Sequence, residues 1–347
     1  MLIAGFTPIL IGRELKSSSD IKRPYPVIRM KLWATSGALF YAMFNLRLFF
    51  LLMSKRCSVI WANDLDTLLA CFVASKLKGV PLIFDSHEYF TEVPEIQHKP
   101  LVKKTWQTIE RFIVPHVHQC ITVSQSIADL FFKKYGKVFH VVRNIPVFDP
   151  FSGETVKPSS ELFPENELLL ILQGSGINID RGAEELLEAI KQTTFINLLI
   201  IGGGDVINQL KEFVDRNNLS KRVSFLPKMD YHKMMQYTRS ADVGVTLDKS
   251  TNVNYLYSLP NKLFDYIHAG IPVLASPLVE VGQIITDNNL GWVLPEHSVE
   301  AMVNCLNYLK NNKKEIEAKA QNCESIKSTF DWNDEALVIT DILYQIE

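Results

Sequence analysis

The chain has 347 residues, 47% of them hydrophobic and 21% charged, with a formal net charge of −2. That length implies two domains of ordinary size, and the charge argues against a nucleic-acid partner. The five cysteines are scattered, odd in number and form no C-x-x-C pair, which argues against a disulfide framework or a zinc site and for buried free thiols in a reducing cytoplasm.

In chain order, residues 1–6 lack a charged leader region, so no signal peptide is expected. Residues 8–12 read as a strand. Residues 32–53 are rich in Phe, Leu, Ala and Tyr and approach the ~20 residues that span a bilayer. Asn45 and Arg47 interrupt them, and Arg at a bilayer centre costs about 2.5 kcal/mol or more. A mostly buried helix is therefore expected there, with an interfacial membrane helix as the alternative. Strands follow at 59–62, 81–85, 119–123 and 138–142, separated by helices at 66–78, about 99–114, and from Ser124. Residues 149–166, with prolines, Gly and Ser, read as a linker. The pattern then restarts, with strands at 168–173, 197–201, 223–226 and 243–247 and helices at 182–192, 206–217 and 231–240. Helices are expected again at 299–308, 313–329 and from Asn333. Strand and helix alternation of this kind predicts an α/β fold: two Rossmann-like parallel-sheet domains facing a central cleft.

The stretch 258–276 reads as a short helix feeding a strand. Ser258 is the expected N-cap, Pro260 sits in the first turn, and Gly270 is a stop. Free N–H groups at a helix start attract phosphate, and Lys262 adds a full charge there. Asn261 and Lys262 share a helix face with Asp265, so a diphosphate at the helix start and a sugar hydroxyl accepted by Asp265 suit the spacing. Gly174 and Gly176 allow backbone N–H groups to approach a phosphate. Ile179 stands where a dinucleotide fingerprint would need glycine. Asp64-Leu65-Asp66 and Asp85-Ser86-His87-Glu88 each follow a strand end, the expected place for functional loops. Asp66 reads as an N-cap, and His87 as a group able to handle a proton. No further carboxylate clusters near Asp64, so no metal is expected.

Taken together, these segments resemble the retaining glycosyltransferases of family four, with the two-domain GT-B fold. The helix with Asp265, then a small residue, Gly, Pro and a strand, resembles their donor-site helix, in which a carboxylate holds the nucleotide ribose. Residues 173–182 resemble the donor motif in which a basic residue, here Arg181, contacts diphosphate. Gly203, in the Gly202-Gly203-Gly204 run, resembles a turn near the nucleotide base. His87, with Glu88 beside it, resembles a residue next to the transferred sugar and acceptor, and Asp64 with Asp66 resembles an acceptor-side segment. The family's paired acidic residues are altered: Asp265 takes the second position and Tyr257 falls on the first. Asn254, Tyr255 and Tyr257 are instead expected to form a polar-aromatic loop holding the donor sugar. The family's first strand and helix have no counterpart, since residues 4–11 match its second strand.

The resemblance implies an acceptor-side domain at 1–148, a nucleotide-sugar domain at 167–329, and a C-terminal helix at 330–347 crossing back. It implies sugar transfer from a nucleotide-diphosphate donor to a hydroxyl, with retention and without a cofactor or metal. It further implies a role in surface polysaccharide or lipid-linked glycan synthesis in the cytoplasm, with peripheral membrane contact through 33–53. Three other readings stay open: a nucleotide-sugar 2-epimerase, an inactive sugar-nucleotide-binding or scaffolding subunit, and a nicotinamide oxidoreductase. The missing fingerprint counts against the last.

Overall fold

The computed structural model describes residues 5–15, 22–149, 163 and 167–346, so most of the expected linker lies outside them. The chain divides into two compact units, Met1–Arg143 with Glu335–Glu347, and Asn144–Asp334.

The first unit contains β1 (Leu10–Glu14), β2 (Val27–Lys31), α1 (Gly37–Ser54), β3 (Ile60–Asn63), α2 (Leu65–Lys78) and β4 (Leu82–Ser86). After these come α3 (Pro94–Gln97), α4 (Pro100–Ile113), β5 (Gln119–Thr122), α5 (Gln125–Tyr135) and β6 (His140–Val141). Strands β3-β4-β5-β6 form one parallel sheet, as helical crossovers require. Its inner strand β4 opens on the buried run Leu82, Ile83, Phe84, the composition of a strand covered on both faces. The first strand starts later than residue 8 because Pro8 has no N–H to give; the ladder begins where Leu10 N donates to Pro26 O at 3.0 Å. Among the described residues β1 pairs only with β2, and β3 only with β4, so neighbouring strands do not take the place of the expected first strand.

Two further expectations change in this unit. Helix α1 is not mostly buried: 22% of it is covered, through Phe40, Phe44 and Leu48 on one face. Asp66 is not the N-cap of α2. Asp64 holds that position with φ 59° and gives no side-chain cap, because its carboxylate is used elsewhere. The final helix, α14 (Trp332–Tyr344), docks its later part on this unit. Buried Glu335 accepts from Arg143 N at 2.7 Å and Arg143 Nε at 2.8 Å, and Tyr344 meets the ring of Phe6.

The second unit runs β7 (Leu168–Gly174), α6 (Ala183–Lys191), β8 (Ile196–Gly202), α7 (Ile207–Arg216), β9 (Val223–Leu226), α8 (Tyr231–Thr238) and β10 (Val243–Thr246). It continues with α9 (Val253–Leu256), α10 (Asn261–Ala269), β11 (Val273–Ala275), α11 (Val279–Asp287), β12 (Gly291–Val293), α12 (Val299–Asn311) and α13 (Lys313–Ile326). The parallel sheet has the order β12-β11-β10-β7-β8-β9. The chain builds outward from β7 and then returns to β10 on its other side, and this reversal opens a crevice at the carboxyl ends of β7 and β10. Tyr266 locks α10 over the junction. Its buried hydroxyl donates to Val245 O at 3.1 Å and accepts from Gln173 N at 3.3 Å. A Cβ at Gly244 would lie 2.3 Å from that ring, so only glycine fits beneath it.

The expected N-cap Ser258 is also corrected. Pro260 occupies that position on α10, and Ser258 Oγ instead donates to Tyr255 O at 2.9 Å. Gly270 ends the helix with φ 73°, the left-handed cap that glycine supplies. The expected loop of Asn254, Tyr255 and Tyr257 is partly helical. Asn252 starts α9 by accepting from Tyr255 N at 2.8 Å.

Candidate functional site

The crevice of the second unit is a cavity of about 600 Å³. Gly174 and Gly176 line it from the turn after β7, Arg181 from just before α6, and Asn261, Lys262 and Asp265 from the first turns of α10. These six residues, read from separate stretches of sequence, are brought together. Gly203 and Asn254 lie outside the lining. Gly203 works through its backbone: its O accepts from Ile177 N at 2.9 Å and its N donates to Gly174 O at 3.2 Å. That ties the Gly174–Ile177 turn to the end of β8. Asn254 is buried in α9.

Sequence reasoning missed the residue that organises the two cations. Asp248 follows β10, is fully buried, and accepts from Arg181 Nη1 at 2.9 Å while pairing with Lys262 Nζ at 3.4 Å. The Arg181 guanidinium also lies over the Tyr255 ring at 4.4 Å. Two cations share one carboxylate here, beside the N-terminal turn of α10, so positive charge is in surplus at this point of the cavity. This is what a diphosphate needs. The signal for Asp248 was its position directly after a strand end.

Asp265 sits deeper and is 7% exposed. Its carboxylate accepts from Tyr231 Oη and Gln173 Nε2, both at 2.9 Å. Burial pushes its pKa up to about 6, against the pull of those two hydrogen bonds. Burial and the neighbouring Asp265 push the Tyr231 phenol up as well, so it keeps its proton and donates. Thr238 Oγ1 donates to Gln173 Oε1 at 2.6 Å and fixes the amide's orientation.

In the first unit, the loops after β3 and β4 meet. Asp64 N donates to Asp85 O at 2.8 Å, and Asp64 Oδ1 accepts from His87 N at 2.9 Å. His87 Nε2 lies 3.4 Å from Asp85 Oδ2, which also accepts from Trp61 Nε1 at 3.1 Å. The bond to Asp85 pushes His87 up to about 9 against the opposing effect of burial. At neutral pH the ring is therefore an imidazolium, a hydrogen-bond donor rather than a base. Asp64 holds a backbone conformation that side chains rarely adopt, with strain of order 1–3 kcal/mol. Its pKa is raised by burial. Asp66, in the first turn of α2, is pushed up to about 6 by burial and then by the nearby Asp64 charge. Glu88 contributes its carbonyl, which accepts from Ser86 Oγ at 2.8 Å. Among the described residues no three His, Cys, Asp or Glu side chains gather where they could hold a metal ion.

The folded pKa of His87 lies above the ordinary 6.5, so its contribution to stability is complete below about pH 6.5 and is lost as pH rises through about 9. In an NMR titration, Asp85→Asn is expected to move the His87 midpoint down by more than one unit. A midpoint unchanged in that variant would show that Asp85 does not hold the proton.

Residues 156–325 match the model of "Glycosyl transferases group 1", and residues 16–144 match that of the "Glycosyl transferase 4-like domain". An uncharacterized glycosyltransferase of Methanocaldococcus jannaschii is 22% identical over 44% of this chain and 41% of its own. An amylovoran biosynthesis glycosyltransferase of Erwinia amylovora is 24% identical over 34% of this chain and 29% of its own. The chain thus matches under half the length of either relative. Sucrose-phosphate synthase from Thermosynechococcus elongatus superposes with TM-score 0.79 at 16% identity, covering 99% of this chain and 90% of that one. Anabaena HepE, solved with UDP and glucose, gives 0.74 at 16%, covering 92% and 86%. With both units matched by the family's models and the fold shared across nearly the whole chain, the protein belongs to the group 1, family-four-like glycosyltransferases and has their GT-B fold.

Proposed function

We propose that this protein transfers a sugar from a nucleotide-diphosphate donor to a hydroxyl acceptor. The observation that carries this reading is the clamp of Arg181 and Lys262 on buried Asp248, set at the start of α10 with Asp265 one turn further. A diphosphate placed there meets two cations and a helix N-terminus. As the bond to the sugar breaks, charge grows on the departing diphosphate, and these groups stabilise it. No metal is then required for that task. A departing phosphate oxygen is left to accept the acceptor's proton, giving transfer with retention. Asp265 accepts the ribose hydroxyls. On the acceptor side, cationic His87 and Asp64 orient the acceptor hydroxyl. The acceptor class is a surface polysaccharide or lipid-linked glycan assembled at the cytoplasmic face. Uridine diphosphate is the first nucleotide to try, since HepE was solved with it.

A thermal-shift panel of UDP, GDP and ADP, with NAD as control, tests the donor site. A ligand present at about 100 times its dissociation constant stabilises by about 2.7 kcal/mol. One nucleotide is expected to shift the melting temperature, with the shift lost in Lys262→Ala; no shift with any of them would overturn the reading. A scaffolding subunit is the second reading, favoured by the unjoined sheets of the first unit and by Tyr257 in place of an acidic residue. It predicts nucleotide binding without turnover.

The raised pKa of Asp265 adds a pH test. Its folded pKa of about 6 exceeds the ordinary 3.8, so ionising it lowers stability as pH rises through this window, while binding gains an ionised acceptor. UDP-glucose is the better probe, because its doubly esterified diphosphate does not titrate near pH 6. Its affinity at pH 5 is expected to be about tenfold weaker than at pH 7, following the ionised fraction. In Asp265→Asn the dependence should disappear; a wild-type affinity flat across that range would show that the carboxylate's charge is not used.

A further inference from the structure

Asp265 does not hold its orientation alone. Three elements of the second unit meet behind it: Gln173 near the end of β7, Thr238 at the end of α8, and Asp265 in α10. All three side chains are buried. A buried amide needs a partner at each end. Gln173 Oε1 accepts from Thr238 Oγ1 at 2.6 Å, and Gln173 Nε2 donates to Asp265 Oδ2 at 2.9 Å. The line of donors therefore starts at the Thr238 hydroxyl and ends on the carboxylate.

The Thr238 hydroxyl sets the direction of that line. It has one proton and two acceptors in reach, Gln173 Oε1 at 2.6 Å and Met234 O at 2.9 Å. Given to Gln173, over the shorter distance, the proton fixes the amide with its N–H groups toward Asp265. Given to Met234, it would let the amide turn over and set Oε1 against a carboxylate oxygen, acceptor against acceptor. Asp265 Oδ1 meanwhile accepts from Tyr231 Oη at 2.9 Å. Each carboxylate oxygen thus has one protein donor and keeps a lone pair for the cavity that Asp265 lines. Thr238 is fully buried and outside that lining, so a ligand in the cavity meets Asp265 and not Thr238.

We propose that Thr238 is a positioning residue for the donor: through the Gln173 amide it holds the Asp265 carboxylate as an acceptor turned to the cavity. This rests on the donor-site reading, in which Asp265 accepts the ribose hydroxyls.

The charge of Asp265 reports on this arrangement. Burial raises its pKa to about 6, and the Tyr231 and Gln173 bonds hold it down. The phenols of Tyr231 on α8 and Tyr266 on α10 are themselves pushed up by burial and keep their protons. Arg239 of α8 acts on the Tyr231 phenol, and His268, further along α10, is bonded to Phe330 O. Lys228, Arg181 and Lys262 line the same cavity, the last two paired with Asp248. A hydrogen bond given to the charged form favours it, so losing the Gln173 bond moves the Asp265 midpoint up.

The first test needs no donor. The Asp265 carboxyl is titrated by NMR in protein labelled at the aspartate carboxyl carbons, with Asp265→Asn assigning its signal. Thr238→Val is expected to raise the midpoint by about one pH unit, and Gln173→Leu by at least as much. The two together should raise it no further than Gln173→Leu alone, since Thr238 acts through that amide. Thr238→Ser keeps the hydroxyl and is expected to keep the wild-type midpoint. The second readout is affinity for the sugar nucleotide whose base shifts the melting temperature in the panel above. At pH 8 Thr238→Val should bind as the wild type does. At pH 6 it should bind about fivefold more weakly, the ratio of ionised fractions for midpoints of about 6 and about 7. A midpoint unmoved in Thr238→Val, or a loss of affinity equal at pH 6 and pH 8, overturns the proposal. A moved midpoint in a protein whose wild type binds no nucleotide would overturn the donor reading and leave the hold of Thr238 on Asp265 standing.

Discussion

Replacing Arg181 or Lys262 with alanine is expected to lower the rate of sugar transfer about 10²–10³-fold. The figure is that for removing one preorganised donor aimed at developing charge, about 2.7–4 kcal/mol. The two variants should differ in stability. Asp248 is fully buried and takes its shorter bond, 2.9 Å, from Arg181; Lys262 stands at 3.4 Å. Removing Arg181 leaves a buried carboxylate with its weaker partner alone, and breaking a buried pair from one side destabilises by about 3–5 kcal/mol. Arg181→Ala should therefore lose both rate and melting temperature, whereas Lys262→Ala should lose mainly rate. Initial rates with the sugar nucleotide whose base shifts the melting temperature, taken well below each variant's melting temperature, separate the two effects. Transfer within tenfold of wild type in both variants would mean that the cations do not stabilise the departing group.

Gly182→Ala is expected to destabilise the second unit by more than about 4 kcal/mol, in the range reserved for severe local clashes. Gly182 has φ 75°, and a Cβ there would lie 2.1 Å from Leu247 O. That carbonyl belongs to the chain leading into Asp248 and cannot move without carrying the carboxylate with it. At about 2–4 °C per kcal/mol for a unit of this size, the melting temperature should fall by roughly 8 °C or more. Gly176→Ala is the control. It has an ordinary φ, and its nearest atom, Asn178 Nδ2, is 3.5 Å away, so its melting temperature should stay near wild type although it lines the same cavity. Calorimetry of the two variants checks both, and a wild-type transition in Gly182→Ala would show that the turn relaxes freely.

The features legible in the sequence were those carried by short-range pattern. Helix spacing alone put Asn261, Lys262 and Asp265 on one face, and all three line the cavity. Gly270 was read as a stop and takes the left-handed conformation that requires glycine. The N-caps were less legible: Ser258 and Asp66 both look like caps locally, yet Pro260 and Asp64 hold those positions. Asp64 takes the cap position while its carboxylate turns to His87 N. Helix α1 shows the limit from the other side. Its composition says apolar and long, but composition carries no record of which face a neighbouring helix covers.

By itself the sequence determined the alternation of strands and helices, the parallel sheets that alternation requires, and the local groups of residues that line the cavity. These follow from periodicity and backbone stereochemistry, which act over a few residues. The tertiary structure alone decided which charges meet. Arg181 and Asp248 are 67 positions apart and touch only because the chain, after building β7 to β9, returns to lay β10 against β7. The same holds for Trp61, Asp85 and His87, which meet because β3 and β4 are paired neighbours. Strand order places these side chains side by side, and burial there sets their charge states; neither is written in any short stretch of sequence.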